Sequence, residues 1–124
     1  MPEAHSILCV AVEEAVKAGA DAVLFNGGPD ISGEDIELER TMIRIISTLR
    51  RECERYGMPL LAEMVPGGFN PPQEYISIDS LKLAARVAAE AGADFLKMPY
   101  RPGYEEVVQG CEGLPIVVLG GAKT

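Results

Sequence analysis

The sequence predicts an α/β fold in which four helix-then-strand units run in parallel. Three observations support this prediction. An amphipathic segment that ends near a glycine and is followed by a short apolar run occurs four times. These apolar runs are nearly continuous, as in parallel strands that are covered on their faces. With 124 residues, 48% of them apolar, the chain can bury one modest core, so we treat residues 1–124 as one domain.

The four units share the way in which each helix ends. Residues 18–21 and 91–94 both read Ala-Gly-Ala-Asp, and residues 57–59 and 113–115 read Gly-Met-Pro and Gly-Leu-Pro. Glycine takes the left-handed conformation that closes a helix, and Pro directly after it prevents the helix from continuing. The predicted helices are 9–18, 34–56, 79–91 and 104–111, each followed by a strand. This order implies right-handed crossovers between parallel strands.

Charge and hydropathy exclude several classes of partner. Eleven Lys and Arg against nineteen Asp and Glu give a net charge of -8, which repels a phosphate backbone, so we expect no nucleic-acid partner. The apolar stretches are far shorter than the roughly 20 residues of a membrane helix, so we expect no membrane partner. The first five residues lack the pattern of a secretory signal, and the expected location is the cytoplasm.

The cysteine and histidine content argues against a metal or disulfide site. Cys9, Cys53 and Cys111 are an odd number and show no Cys-x-x-Cys spacing. We expect them to be reduced and buried. Because the single histidine is His5, we predict no metal and no other cofactor.

A parallel sheet of this kind forms either an open doubly wound layer or part of a barrel. A complete (β/α)8 barrel takes about 250 residues, so this chain would supply about half of one. The last residues, 120–124, follow directly on a predicted strand, where a covering helix would be expected. The sequence therefore suggests a fragment of a barrel or a half-barrel.

Lys97 is the strongest candidate for a functional residue. In the predicted strand 94–100 it shares one face with Phe95 and Pro99, while Leu96, Met98 and Tyr100 share the other. Burial disfavours the ammonium form, and a neutral amine can attack a carbonyl to form a Schiff base. The other interpretation is an ion pair with Glu63 on the neighbouring strand. The two roles are compatible.

Further candidates lie where the predicted strands end, because functional groups of parallel α/β folds gather there. Glu63 is a candidate acid, base or orienting group, and otherwise the partner of Lys97. Asn26 and Tyr100 are candidate substrate contacts, against structural roles as a turn cap and a packing side chain. Gly120 and Gly121 offer backbone N–H groups to a phosphate, or form a tight turn. The segment 65–76 has no periodicity and is expected to be a long mobile loop.

These residues are similar to those of a known family. Residues 91–100 and 114–124, with Val107 and Val108 between them, resemble the Schiff-base class I aldolases of the archaeal fructose-bisphosphate aldolase type. That group also contains hept-6-ulosonate phosphate synthase and the enzyme that processes phosphorylated autoinducer-2. The resemblance extends back through residues 56–64 to residues 12–15 and 19–23, and so covers nearly the whole chain.

The resemblance implies a (β/α)8 barrel in which this chain supplies about the fourth to seventh strands. It implies that Lys97 forms the imine and that Gly120 and Gly121 bind the substrate phosphate. Val65 stands where fructose-bisphosphate aldolases of this type carry a proton-transferring tyrosine. Glu63 is then the substitute acid or base, and the interpretation shifts from a fructose-bisphosphate substrate toward the autoinducer-2 branch or an uncharacterised one.

The function predicted from these observations is a class I aldolase-type lyase or transferase that acts on a phosphorylated ketose through an imine at Lys97. Such an enzyme needs no cofactor, and we expect it to be a homo-oligomer. One alternative is a non-catalytic half-barrel whose open sheet edges pair with a second copy. Another is an open-sheet small-molecule binding domain, which the absence of a glycine-rich turn after a first strand disfavours.

Overall fold

A computed structural model of the chain describes residues 11–120. Within them, helices and strands alternate, and this confirms the predicted α/β fold. The elements are α1 (Val12–Lys17), β1 (Val23–Gly27), α2 (Ile36–Tyr56), β2 (Leu60–Met64), α3 (Ile78–Ala91), β3 (Phe95–Met98), α4 (Glu105–Gly110) and β4 (Ile116–Val118). A 3-10 turn, Gln73–Tyr75, lies in the loop after β2 and was not predicted. The predicted start of the first helix at Cys9 lies outside the described residues.

The four strands form one parallel sheet in the order β1-β2-β3-β4. Strands that follow each other in the chain are therefore neighbours in the sheet. A doubly wound sheet reverses its strand order at a switch point, whereas a barrel adds strands in sequence. The observed order, within residues 11–120, is that of part of a (β/α)8 barrel.

The two long helices are capped at both ends by residues that the sequence provides locally. Asp35 accepts a hydrogen bond from the Leu38 N–H at 3.0 Å, so α2 begins two residues later than predicted. Ser77 and Ser80 cap the start of α3 reciprocally. Gly57 and Gly92 close α2 and α3 in the left-handed conformation, with φ of 66° and 106°. The predicted role of glycine at these helix ends is confirmed.

The helices bury one face of the sheet. The covered face and the helices over it contribute completely or almost completely buried side chains, among them Phe25, Ile46, Leu60, Met64, Leu81, Ala85, Leu96, Met98 and Val107. Cys53 and Cys111 are free and buried, as predicted, while Cys9 lies outside the described residues. None of the described helices is long and apolar enough to cross a membrane.

The opposite face of the sheet is uncovered in the part of the chain that the structure describes. Burial alternates along β2 and β3, and on the uncovered face Leu24 and Val117 keep 48% and 50% of their surface exposed. Within residues 11–120 the expected covering of both faces is therefore not found, because the helices cover one face. The strands are too short for their nearly continuous apolar sequence to reveal that only alternate side chains are buried.

Candidate functional site

Three of the predicted site residues lie side by side across the sheet. The register pairs Asn26 of β1 with Glu63 of β2, and Glu63 with Lys97 of β3. Each is the penultimate residue of its strand. Residues that are paired across a sheet point to the same face, and here this is the uncovered face at the carboxyl ends of the strands. The structure therefore brings Asn26, Glu63 and Lys97 together where parallel α/β folds carry their functional groups.

Glu63 links the other two side chains. Its Oε1 lies 2.9 Å from the Lys97 Nζ, and its Oε2 accepts a hydrogen bond from the Asn26 Nδ2 at 3.4 Å. The predicted ion pair between Lys97 and Glu63 is confirmed. The Glu63 side chain is 15% exposed and that of Lys97 is 35% exposed. The carboxylate is thus held in the sheet while the amine remains open to an incoming molecule.

This geometry suits proton transfer between the two groups. At 2.9 Å the carboxylate is within hydrogen-bond reach of the ammonium and can accept its proton. A lysine becomes a nucleophile only after it loses that proton. The arrangement that forms the ion pair therefore also places a proton acceptor beside the Lys97 amine.

The loops after β1 and β2 pack against each other beside the pair. The Val65 N–H donates to the Gly27 carbonyl at 2.8 Å, and the Gly67 N–H donates to the Pro29 carbonyl at 2.9 Å. A Cβ on Gly28 would lie 1.8 Å from the Val65 carbonyl oxygen, so only glycine fits there. The segment 65–76, which was expected to be a mobile loop, is thus hydrogen-bonded to its neighbour at its start.

Tyr100 lies beyond the end of β3, three residues after Lys97. Its ring contacts the ring of Tyr104, with the centroids 5.5 Å apart, and it is 55% exposed. Tyr104 is buried, its hydroxyl has no hydrogen-bond partner among the described residues, and burial raises its pKa. The role of Tyr100 as a substrate contact stays a prediction.

The predicted phosphate site is described only in part. Gly120 is exposed, and a Cβ there would meet nothing within 4 Å. Gly121 lies outside the described residues. The Leu119 N–H donates to the Met98 carbonyl at 2.9 Å, which brings the start of this segment beside the end of β3. The phosphate-binding role of Gly120 and Gly121 stays a prediction.

Metal-ligand groups and cavities show where else a ligand could bind. Within residues 11–120 no three His, Cys, Asp or Glu side chains are grouped as metal ligands would be, and His5 lies outside that range. A cavity of about 360 Å³ lies at the amino ends of the strands, between Arg50, Met58 and Asp94. The cavity contains none of the predicted site residues.

Sequence reasoning did not single out Arg101, which follows Tyr100 in the loop after β3. Its guanidinium donates to the Ile76 carbonyl at 3.0 Å and to the Gln73 Oε1 at 2.8 Å. Both acceptors belong to the loop after β2. A cationic side chain in a loop at the carboxyl end of a strand was the available signal, but its partners are distant in sequence.

Comparison with known proteins gives the family. Residues 2–124, nearly the entire chain, match the sequence profile described as DeoC/LacD family aldolase. This chain belongs to the DeoC/LacD aldolase family. The resemblance that the sequence suggested is thereby confirmed, as is the assignment to a family of aldolases.

Individual relatives of this DeoC/LacD family chain agree with that assignment. It is 40% identical over 118 residues to the 2-amino-3,7-dideoxy-D-threo-hept-6-ulosonate synthase 1 of Archaeoglobus fulgidus, covering 94% of this chain and 41% of the relative. It is 36% identical over 124 residues to the 3-hydroxy-5-phosphonooxypentane-2,4-dione thiolase of Yersinia pestis, covering 96% of this chain and 38% of the relative. The chain thus spans about two fifths of the length of these curated relatives.

A solved structure is also similar to this DeoC/LacD family chain. The crystal structure of the YdjI aldolase from Escherichia coli K12 matches with a TM-score of 0.41 and 16% identity, over 94% of this chain and 51% of that chain.

Proposed function

We propose that this chain carries the imine-forming part of a class I aldolase, with Lys97 as the nucleophile. The observation that carries the proposal is the Lys97 amine held 2.9 Å from the Glu63 carboxylate on the uncovered face, at the carboxyl ends of the strands. Membership in an aldolase family supports it. So does the position of Lys97, which is also where the resemblance to Schiff-base aldolases puts the imine-forming residue.

The chemistry follows from the pair. Glu63 accepts a proton from the Lys97 ammonium, and the neutral amine adds to the ketone carbon of the substrate, forming a C–N bond. As that bond forms, the π bond of the carbonyl breaks, and its oxygen takes a proton from the nitrogen to become a hydroxyl. Glu63 then returns its proton to this hydroxyl, which leaves as water while the nitrogen lone pair forms the C=N bond, and a protonated imine remains. Glu63, again a carboxylate, takes the proton of the hydroxyl on the β carbon as the bond between the α and β carbons breaks. The electron pair of that bond passes to the imine, giving an enamine and a carbonyl product. Protonation of the enamine and addition of water release the second product and restore Lys97.

The remaining candidate residues have proposed roles in binding the substrate and in the acid and base steps. Asn26 hydrogen bonds to Glu63 and offers its amide to a substrate hydroxyl. Tyr100 contacts the substrate from the loop after β3, and Gly120 and Gly121 hold its phosphate with their backbone N–H groups. Val65 has no ionisable group, which leaves the acid and base steps to Glu63.

The substrate in this proposal is a phosphorylated ketose or a related sugar. The name of the Yersinia pestis relative contains a phosphonooxy group beside two ketone groups, which supports this substrate class. We place the reaction in carbohydrate metabolism in the cytoplasm. No metal or organic cofactor takes part in the proposed steps.

We also propose that the chain acts as a homo-oligomer. It supplies part of a barrel, the face that carries Lys97 is uncovered in residues 11–120, and β1 and β4 are the edges of the described sheet. Unpaired parallel edges favour association with further strands. Light scattering is expected to give a multiple of the 13.3 kDa chain mass, and a mass of one chain would contradict this part of the proposal.

Borohydride trapping tests the imine directly. The chain is incubated with dihydroxyacetone phosphate, reduced with sodium borohydride and analysed by intact mass and peptide mapping. We expect one adduct, on Lys97. Lys97→Arg keeps a positive charge beside Glu63 but cannot form the imine, and it should abolish the adduct. Lys82→Arg, an exposed lysine paired with Glu106 at 3.3 Å, is the matched control and should leave the adduct unchanged.

A second variant tests the role of Glu63. Glu63→Gln keeps the side-chain shape but cannot accept a proton, and we expect trapping to slow by about 100-fold, the scale of general acid–base catalysis. Glu54→Gln, an exposed carboxylate in an ion pair with Arg50, is the control. A folded wild-type chain that forms no adduct, or an adduct that survives Lys97→Arg, would contradict the proposed function.

A further inference from the structure

The side chain of Arg101 joins the two loops next to the Glu63–Lys97 pair by hydrogen bonds. The loop after β2 continues the strand of Glu63 and runs from Val65 to Ser77, and the loop after β3 continues the strand of Lys97. Arg101 lies in the second loop and reaches across to the first. Both loops leave the sheet at the carboxyl ends of the strands that carry the pair.

Each nitrogen of the Arg101 guanidinium donates a hydrogen bond to a protein oxygen. The Nε donates to the Ile76 carbonyl at 3.0 Å and the Nη2 donates to the Gln73 Oε1 at 2.8 Å. The Nη1 donates to the carbonyl of the adjacent Tyr100 at 3.2 Å. The planar guanidinium therefore holds its own loop and the far end of the loop after β2 in a fixed relation.

The start of the same loop is fixed by different contacts. As described above, the backbone of Val65 and Gly67 bonds to the loop after β1. Between these two attachments lies Phe69, which is 82% exposed. The loop is thus anchored at its start by backbone hydrogen bonds and at its end by Arg101.

The charge of Arg101 is not used in an ion pair among the described residues. Its three acceptors are two carbonyls and one amide oxygen, all neutral. Three arginines on the helices, Arg40, Arg50 and Arg86, are instead paired with carboxylates on the exposed surface. Geometry, and not charge pairing, therefore accounts for the contacts that Arg101 makes.

We propose that Arg101 is a positioning residue, whose guanidinium fastens the loop after β2 to the loop after β3 and so shapes the entrance through which substrate reaches Lys97. The inference rests on the proposed function for the identity of the reacting residue. It adds that the loop after β2 forms part of the substrate site. Loss of the link displaces this loop, which weakens substrate binding more than it slows the reaction of bound substrate.

Two substitutions separate the link from the charge. Arg101→Lys keeps the positive charge, but one ammonium cannot reach three acceptors in the plane of a guanidinium. Arg101→Ala removes both the charge and the link. Arg86→Lys, on α3, is the matched control, because it makes the same chemical change at an exposed arginine away from the pair.

The first measurement is the concentration dependence of borohydride trapping with dihydroxyacetone phosphate. Misplacement by about 1 Å costs up to about 100-fold in such sites, and we expect Arg101→Lys and Arg101→Ala each to raise the half-saturating concentration by about 10-fold. The trapping rate at saturating substrate should change by a smaller factor than the half-saturating concentration does. A lysine variant that behaves like the wild type, beside an impaired alanine variant, would overturn the proposal in favour of a role for charge alone.

The second measurement is amide hydrogen exchange, which does not depend on the reaction. We expect residues 65–76 to exchange faster in both Arg101 variants, with the strands and α2 unchanged, and no difference in Arg86→Lys. Unchanged exchange in residues 65–76 would overturn the proposal. If the wild-type chain forms no adduct, the proposed function fails, while the exchange experiment still decides whether Arg101 fastens the loop.

Discussion

The two faces of the sheet differ in what they contribute. On the covered face, Leu96 and Met98 are completely buried against the helices. On the other face, half-exposed Leu24 and Val117 lie beside a row of polar side chains, Asn26, Glu63 and Lys97. The first face holds the chain together, and the second presents the residues of the proposed site.

This difference arises within the same short strands. Neighbouring residues such as Leu96 and Lys97 point to opposite faces because side chains alternate along a strand. A residue that stabilises the fold can therefore be adjacent to one that carries the chemistry. We therefore expect substitutions of adjacent residues to affect different properties. A substitution on the covered face should lower stability, and one on the uncovered face should change reactivity.

The largest expected effect on stability is on the covered face. Leu96→Ala removes a completely buried side chain at the centre of the sheet and should lower the free energy of unfolding by about 2–5 kcal/mol. Leu24→Ala makes the same change on the uncovered face and should cost less than about 1 kcal/mol in dilute protein. Denaturant unfolding measures both. An equal loss at Leu24 would show that its face is covered in solution.

A smaller effect is expected where the loops of the uncovered face meet. Gly28→Ala places a Cβ 1.8 Å from the Val65 carbonyl oxygen, so the backbone must move, at a cost of about 2 kcal/mol. Gly110→Ala, at the end of α4, meets nothing within 4 Å and should be neutral or slightly stabilising. Thermal unfolding of the two variants compares them. A Gly28→Ala variant as stable as the wild type would mean that the two loops do not pack as described.

The smallest expected effect concerns the polar contacts of the loop after β1. Asp30 accepts hydrogen bonds from the Ser32 hydroxyl and from the Ser32 and Asp35 N–H groups, and these lower its pKa from the ordinary value of 3.8. Because the folded-state pKa is the lower one, this stabilisation is present above about pH 4 and is lost as the pH falls through the folded value.

Removing the carboxylate should remove that dependence on pH. Asp30→Asn is expected to lower the free energy of unfolding by no more than about 1 kcal/mol at pH 7. The difference from the wild type should shrink as the pH falls below 3.8 and through the lower pKa that Asp30 has in the folded chain. Denaturant unfolding at pH 7 and at low pH measures this. A difference that grows on acidification would contradict the assigned role of the carboxylate.

Much of the site could be predicted from the sequence because it rests on local rules. Glycine and proline mark the ends of the helices, so the positions of the strands follow. Once the strands are placed, Glu63 and Lys97 occupy equivalent depths on neighbouring strands. The ion pair between them was predicted for that reason and is confirmed. The family resemblance depended on the same short segments.

The contacts that could not be predicted from the sequence join residues that are far apart in the chain. The Arg101 link spans 25 residues to Ile76 and 28 residues to Gln73, and no periodicity encodes it. The sequence indicated a mobile loop over residues 65–76 and predicted neither this link nor the 3-10 turn. Within residues 11–120 helices cover one face of the sheet and not both. Apolar composition alone does not specify which face of a sheet the helices will cover.

By itself, the sequence determined the order of helices and strands, their boundaries to within a few residues, and the alignment of Glu63 with Lys97. Only the tertiary structure decided that helices cover one face, that Tyr100 packs on Tyr104, and that Arg101 joins two loops. The physical reason is that capping and alternation act between neighbours in the chain. Covering and linking depend on which distant segments meet once the sheet has formed.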